Sequence, residues 1–373
     1  MLSAHATTAP SLAARLQDTD GRPAGFDYLR LILSVGVIAT HSSLIAYGYD
    51  QTTTWTSSVV GWVSSLIVPM FFSLSGFLVA GSLERTDSLF KFLGLRVFRI
   101  MPALSVEVLV SALLLGPIFT SLSLSDYFRD PLFHHYFLNV VGHIQYLLPH
   151  VFDKNPLPLV NGQLWTVPYE LACYILLWFL AIFGIYRNKH WLLIFIVAFY
   201  LFQVGNTIFR PNLNYRGAGG VTTVMMFSAG LLLYRYRERI VWSGWLALLC
   251  AAVSLASILI PNGIRFSALP AAYFTVYLGL LNPPRQRILL SGDYSYGLYL
   301  YGFPIQQAVV AALPNLREWY WNILISLPIA AAIAVFSWWT IERPILRSRQ
   351  TLDRLDSWFN ARLRRKPIEE PLS

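Results

Sequence analysis

Charge is scarce in this chain. Only 13% of its 373 residues are Asp, Glu, Lys or Arg, against 55% hydrophobic and 15% aromatic, and a chain so short of charge does not present a water-facing surface on all sides. Cysteine is scarcer still. Cys173 and Cys250 are the only two and both lie inside apolar runs, which excludes a disulfide framework and a Cys-based metal site. The first 24 residues, polar and carrying Arg15 and Arg22, lack the apolar core of a cleaved signal peptide, so the first apolar run is expected to direct insertion. No internal repeat or low-complexity linker interrupts the chain, and the tail after Glu342 is too short for a second enzymatic domain. His134, His135, His143 and His150 match no compact zinc spacing, so no metal is expected. The segment Gly217-Ala218-Gly219-Gly220 lacks the lysine and strand of a phosphate loop and is expected only to ease the chain into a span.

What the chain does have is apolar length. Runs able to cross about 30 Å of hydrocarbon fall near Asp27–Tyr47, Val59–Ser82, Ile100–Thr120, Leu164–Tyr186 and Trp191–Ile208, and then near Gly217–Tyr234, Val241–Pro261, Phe266–Leu281, Ser291–Leu313 and Trp319–Ile341. The pattern predicts an all-α, polytopic integral membrane helix bundle of about ten transmembrane helices. An even count puts both termini on one side. With the N-terminus cytoplasmic, 21 basic residues fall in cytoplasmic segments and 6 outside, and Arg30 within the first span completes the 28. That asymmetry follows the positive-inside rule and predicts cytoplasmic termini. It also accounts for the net charge of +9 without nucleic acid. The divisions expected are 1–24, a cytoplasmic N-terminal segment; 25–345, the transmembrane domain; and 346–373, a cytoplasmic basic tail. In that tail Leu352, Leu355, Trp358, Phe359 and Leu363 share a helical face, with Arg354, Arg362, Arg364 and Arg365 free to meet lipid headgroups. The outer segment 121–162, rich in histidine, proline and aromatics, is too long for a bare connector and is expected to cover a site.

Ionisable residues inside a span are costly and usually face a cavity or a partner, which singles out Asp27, Arg30 and His41. Eleven residues from Arg30 to His41 are about 1,100° of helix and about 16 Å of rise. The two side chains therefore point the same way at different depths, as a ligand threaded across the membrane would need. The plainer alternative is that Arg30 snorkels to headgroups beside Asp27 while His41 hydrogen-bonds between helices.

Five segments in order carry a resemblance. They are Asp27, Arg30 and His41 at their spacing; Phe71 to Phe77 (Phe-Phe-Ser-Leu-Ser-Gly-Phe); Arg96 to Pro102 (Arg-x-x-Arg-Ile-x-Pro); Leu164 to Glu170 (Leu-Trp-Thr-x-x-Tyr-Glu); and Ser295 to Pro304. Over nearly its whole length the chain resembles the membrane-bound acyltransferase-3 family, the O-acetyltransferases of bacterial exopolysaccharides, O-antigens and lipo-oligosaccharide signals. It departs at Gly302, where many relatives have histidine, and it lacks the fused periplasmic esterase-like domain of longer members.

The resemblance implies transfer of an acyl group, most simply acetyl, from cytoplasmic acyl-CoA to a hydroxyl of a cell-surface or lipid-linked glycan. A sugar hydroxyl is a poor nucleophile at neutral pH, so a base is needed between it and the thioester. His41 is the expected base, with Glu170 orienting the imidazole. Arg30, Arg96 and Arg99 would hold the donor's phosphates, Asp27 would orient Arg30, and Ser75 would sit by the donor's arm. For Arg96 and Arg99 the positive-inside rule alone is the alternative, and for Ser75 and Gly76 it is helix packing. Membrane lipid and polysaccharide biosynthesis or export proteins are the expected partners. A transporter or flippase, and a non-catalytic export component, are the competing classes.

Overall fold

In this computed structural model, the structure describes residues 9–51, 59–86, 88–209, 219–260, 263–287, 291–348 and 350–364. Among these residues there is no β-strand, only two isolated bridges, Ser11 to Val241 and Thr120 to Val151. The main helices are α1 (Leu12–Gln17), α2 (Ala24–Gln51), α3 (Ile67–Glu84), α4 (Leu89–Val110), α5 (Val167–Ile182), α6 (Lys189–Phe209), α7 (Gly220–Arg235), α8 (Gly244–Ile258), α9 (Ala268–Gly279), α10 (Ser295–Ala312), α11 (Trp319–Ser337) and α12 (Gln350–Arg364).

Among the described residues six helices are long and apolar enough to cross a membrane, and α7, α8 and α9 are apolar but shorter. At 12 residues, α9 reaches about 18 Å, well short of a bilayer core. The outward face of α6 bears exposed Trp191, Ile194, Leu201 and Phe202, a surface suited to lipid rather than water. The chain is thus a helical membrane protein.

Two expected spans differ in their bounds. The second run breaks at Ser65–Leu66 into Val59–Ser64 and α3. The third begins eleven residues earlier than its apolar run: Ser88 caps α4 through its hydroxyl, which accepts from the Lys91 amide at 3.4 Å. Arg96 and Arg99 therefore ride on a membrane helix and not in a connector. Hydropathy could not reveal this, because their charges depress it locally while a side chain can snorkel or pair.

The centre is built on close helix contacts. A Cβ at Gly76 would strike the Phe227 carbonyl oxygen, and one at Gly230 the Ser73 carbonyl oxygen, so α3 and α7 touch backbone to backbone, as small residues allow in membranes. Gly76 therefore serves helix packing. Gly76→Leu should cost about 3 kcal/mol or prevent assembly, read as a lowered Tm in detergent.

The outer segment folds into a cap. Tyr127 and Tyr136 are fully buried in it, and Asn155 and Gln307 bind it to α10: the Asn155 amide donates to the Gln307 carbonyl at 3.0 Å, and the Gln307 amide donates to the carbonyls of Leu157 and Leu159, each at 2.7 Å. Pro156 lies against Gly48 at the end of α2, so the cap covers the end of α2 that carries His41. Its histidines are spread out, His143 near Gln145 at 2.9 Å and His150 on Asp153 at 2.7 Å. Among the described residues no three His, Cys, Asp or Glu side chains converge as a metal site would require.

At the other end, α12 docks on the start of α4. Lys91 pairs with Asp353 at 2.5 Å, Ser88 donates to Asp356 at 2.5 Å, and Leu352 is buried against Gly94. Part of the expected lipid-facing stripe is thus spent on the bundle. The side chains of Trp358, Phe359, Arg362, Leu363 and Arg364, together with Arg365, Arg210, Arg216, Gly217 and Ala218, lie outside the described residues.

Candidate active site

Five of the residues picked from the sequence line one cavity. Arg30 from α2, Ser75 from α3, Arg96 and Arg99 from α4 and Glu170 from α5 enclose a space of ≈ 150 Å³ between the helices. The remaining wall is apolar and aromatic, including Phe71, Phe227, Tyr296 and Tyr299. The spacing explains the convergence: Arg96 and Arg99 are neighbours on one helical face at i, i+3, as are Asp27 and Arg30.

The arginines do not stand free. Asp293, in the turn before α10, receives Arg99 at 2.6 Å and Arg30 at 3.1 Å. Burial raises the Asp293 pKa, but Arg99 and Arg30 outweigh it and hold the carboxyl at about 2. Because its folded value lies below the ordinary 3.8, its contribution to stability is complete above about pH 4 and is lost as pH falls toward 2. The pair is therefore fully charged at neutral pH. Arg99 also reaches Glu342 at 3.5 Å and lies over the Tyr296 ring at 5.5 Å. Arg96 donates to the Ser82 hydroxyl at 2.7 Å and sits over the rings of Phe92 and Tyr174 at 5.7 and 5.9 Å. Asp27 lies 3.9 Å from Arg30 and 3.4 Å from Arg285, and Asp293 is the nearer partner of Arg30.

Glu170 is placed differently from the expectation. Its carboxylate accepts from Tyr174 at 2.5 Å, and the Tyr174 hydroxyl lies 3.4 Å from Ser75. The residue expected to orient His41 thus closes an i, i+4 hydrogen bond on its own helix, the natural reach on a helical surface, and belongs to the arginine chamber. His41 lies three turns farther along α2, its ring edge-on to Phe303 at 5.1 Å between centroids, with no side-chain hydrogen bond among the described residues. Phe303 in turn packs on Gly162 at the start of α5's approach. The site therefore has two parts, a charged chamber and a histidine beneath the outer cap.

Sequence reading missed Asp293, Tyr174 and Glu342, and gave no role to Tyr299, which lies in the Ser295–Pro304 stretch. Asp293 carried one signal, an acidic residue two positions before the Ser295–Pro304 stretch. At Gly302 a Cβ would come within 2.8 Å of Ile38, so α10 and α2 meet too closely there for a histidine. Gly302→His should lower stability by about 1–3 kcal/mol, seen as a drop in Tm in detergent, and Ile38→Ala in the same chain should recover part of it.

Comparison with known proteins supplies the family. The acyltransferase-3 family profile, described as an acyltransferase domain, matches residues 24–343. The chain is 26% identical over 350 residues to an "O-acetyl transferase" of Shigella phage Sf6, covering 86% of this chain and 95% of that one. It is 28% identical over 384 aligned positions to "Nodulation protein 10" of Rhizobium leguminosarum bv. viciae, covering 90% and 96%. No solved structure matches. A family profile that covers nearly the whole helical body, including every residue of the charged chamber, establishes that this chain belongs to the acyltransferase-3 family and is an acyltransferase.

Proposed function

We propose that the protein transfers an acyl group, most simply acetyl, from cytoplasmic acyl-CoA to a hydroxyl of a cell-surface or lipid-linked glycan. The observation that carries this reading is the single cavity gathering Arg30, Arg96, Arg99, Ser75 and Glu170. Guanidinium groups suit the diphosphate of such a donor, and the apolar, aromatic wall suits its pantetheine arm and thioester. The name of the phage relative, an O-acetyl transferase, supports acetyl as the group moved.

In this reading the chain spans a bacterial inner membrane about ten times, with residues 25–345 as the catalytic body. Residues 1–24 and the tail 346–373 face the cytoplasm, supported by the partition of basic residues, which stays lopsided with Arg96 and Arg99 set aside as helix residues. The donor's phosphates meet Arg30, Arg96 and Arg99 at the inner side, and its arm runs along α2 toward His41, about 16 Å away. His41 takes the acceptor hydroxyl proton as oxygen attacks the thioester carbonyl. The C–S bond then breaks, and the proton passes to the departing thiolate, leaving an ester and free coenzyme A. Glu170 and Tyr174 hold the chamber's polar wall. Membrane lipid surrounds the body, and polysaccharide biosynthesis or export proteins supply the acceptor.

The test is mass spectrometry of surface glycan from cells lacking the protein, complemented with wild-type protein at matched abundance. Loss of O-acyl groups on deletion, and their return on complementation, is the expected result. Unchanged acylation with reduced glycan export would replace this reading with a transporter.

A further inference from the structure

Asp293 faces two ways. Its carboxylate binds Arg30 and Arg99 of the charged chamber, and it also lines a second cavity, of ≈ 250 Å³, with Asp27, Leu31, Gly292, Tyr294 and Trp338. This second space opens beside the N-terminal end of α2 and has a composition unlike the first. The rings of Tyr294 and Trp338 meet at 82° with centroids 6.5 Å apart, forming a corner in which a flat ligand can stack on one ring and touch the other by its edge. Gly292 is needed for that corner, since a Cβ there would strike the indole nitrogen of Trp338.

Trp338 opens a π-helical turn, Trp338–Glu342, whose last residue lies 3.5 Å from Arg99. Such widened turns are frequent at functional sites. Here one turn puts an aromatic ring into the second cavity and a carboxylate against Arg99, which lines the first, so the two spaces share their supports.

Charge narrows the ligand. Asp27 and Asp293 would suggest a cation, but Asp27 is already matched by Arg30 and Arg285, and Asp293 by Arg30 and Arg99. A neutralised pair of carboxylates in an aromatic corner calls for a neutral, planar group that donates hydrogen bonds: Asp293 is also taken by the Ser295 hydroxyl at 2.6 Å, but Asp27 meets only its two arginines among the described residues and retains unused lone pairs. The flanking guanidiniums call for an anionic tail on the same molecule. An aminopurine nucleotide has both features.

We propose that this cavity seats the aminopurine ring of the acyl donor, the ring against Trp338 and Tyr294 and the exocyclic amine donating to Asp27. This assignment rests on the acyl-CoA reading above. It makes Trp338 and Asp27 the residues that recognise the donor's base, separate from the arginines that hold its phosphates.

The experiment is titration calorimetry on the purified full chain in detergent with three probes: coenzyme A, its 1,N6-etheno derivative, in which the exocyclic amine is locked in a fused ring, and 4′-phosphopantetheine. The proposal expects etheno-coenzyme A to bind about tenfold more weakly than coenzyme A, the scale of one hydrogen bond to a charged group. Trp338→Leu should weaken coenzyme A about tenfold, bring the two coenzymes within twofold of each other, and leave phosphopantetheine binding unchanged, which also reports an intact fold. Equal binding of coenzyme A and etheno-coenzyme A by the wild type overturns the base seat alone. Loss of phosphopantetheine binding in Trp338→Leu would make the tryptophan structural and overturn it too. Wild-type protein that binds neither coenzyme A nor phosphopantetheine overturns the donor reading itself, and the seat with it.

Discussion

Replacing His41 with alanine should leave the protein inserted at normal abundance and lower acyl transfer by about 10²–10⁴-fold, the range expected for loss of a positioned base. The fold loses little in this change. The ring's recorded contact is an edge-on approach to Phe303 at 5.1 Å, and no side-chain hydrogen bond among the described residues is broken. A histidine that only held helices together would behave in the opposite way, with abundance and Tm falling first. Membrane abundance by immunoblot and initial transfer rate, measured on the same preparations, separate the two.

Arg99→Met should have the largest effect on stability of any single change in the charged chamber. One guanidinium serves Asp293 at 2.6 Å and Glu342 at 3.5 Å, and the Glu342 side chain is only 3% exposed. Removing one partner of a buried ion pair typically costs about 3–5 kcal/mol, because the other charge stays buried without compensation. Asp293 keeps Arg30 at 3.1 Å; Glu342 has no second cationic partner among the described residues. The expected result is a large fall in Tm in detergent. Adding Glu342→Gln to Arg99→Met should restore part of it, while Arg99→Lys should fall in between, since an ammonium lacks the fork that reaches both carboxylates. If Arg99→Met alone were as stable as wild type, the ion cluster would contribute nothing to the fold.

Much of the chamber is legible in the sequence. Arg30, Ser75, Arg96, Arg99 and Glu170 sit far apart in sequence, yet each was conspicuous as a polar group in an apolar stretch, and such groups must converge on a cavity or on each other. What periodicity cannot give is partner choice. Glu170 pairs with Tyr174, one turn along its own helix, rather than with His41, because the nearest donor on a helical surface wins unless tertiary packing supplies a better one. Asp293 was missed because it stands in a connector, where an acidic residue looks ordinary until α2 and α4 bring two guanidiniums to it. The span bounds erred for a related reason: charge on α4 broke the apolar run while the helix continued through it. The close contact of α3 with α7 at Gly76 and Gly230 was invisible for another reason, since a glycine within an apolar run does not disclose which helix it admits.

The account turns on one claim, that an acyl group leaves a coenzyme A thioester bound at the arginine chamber and reaches a glycan hydroxyl with the help of His41. The most direct measurement uses purified protein in sealed proteoliposomes, isotope-labelled acetyl-CoA and a lipid-linked saccharide acceptor, following label in the saccharide by mass spectrometry. The account predicts saccharide labelling with one coenzyme A released per acetyl transferred, and label near background for His41→Ala at equal protein content. Saccharide labelling by His41→Ala at the wild-type rate would contradict it.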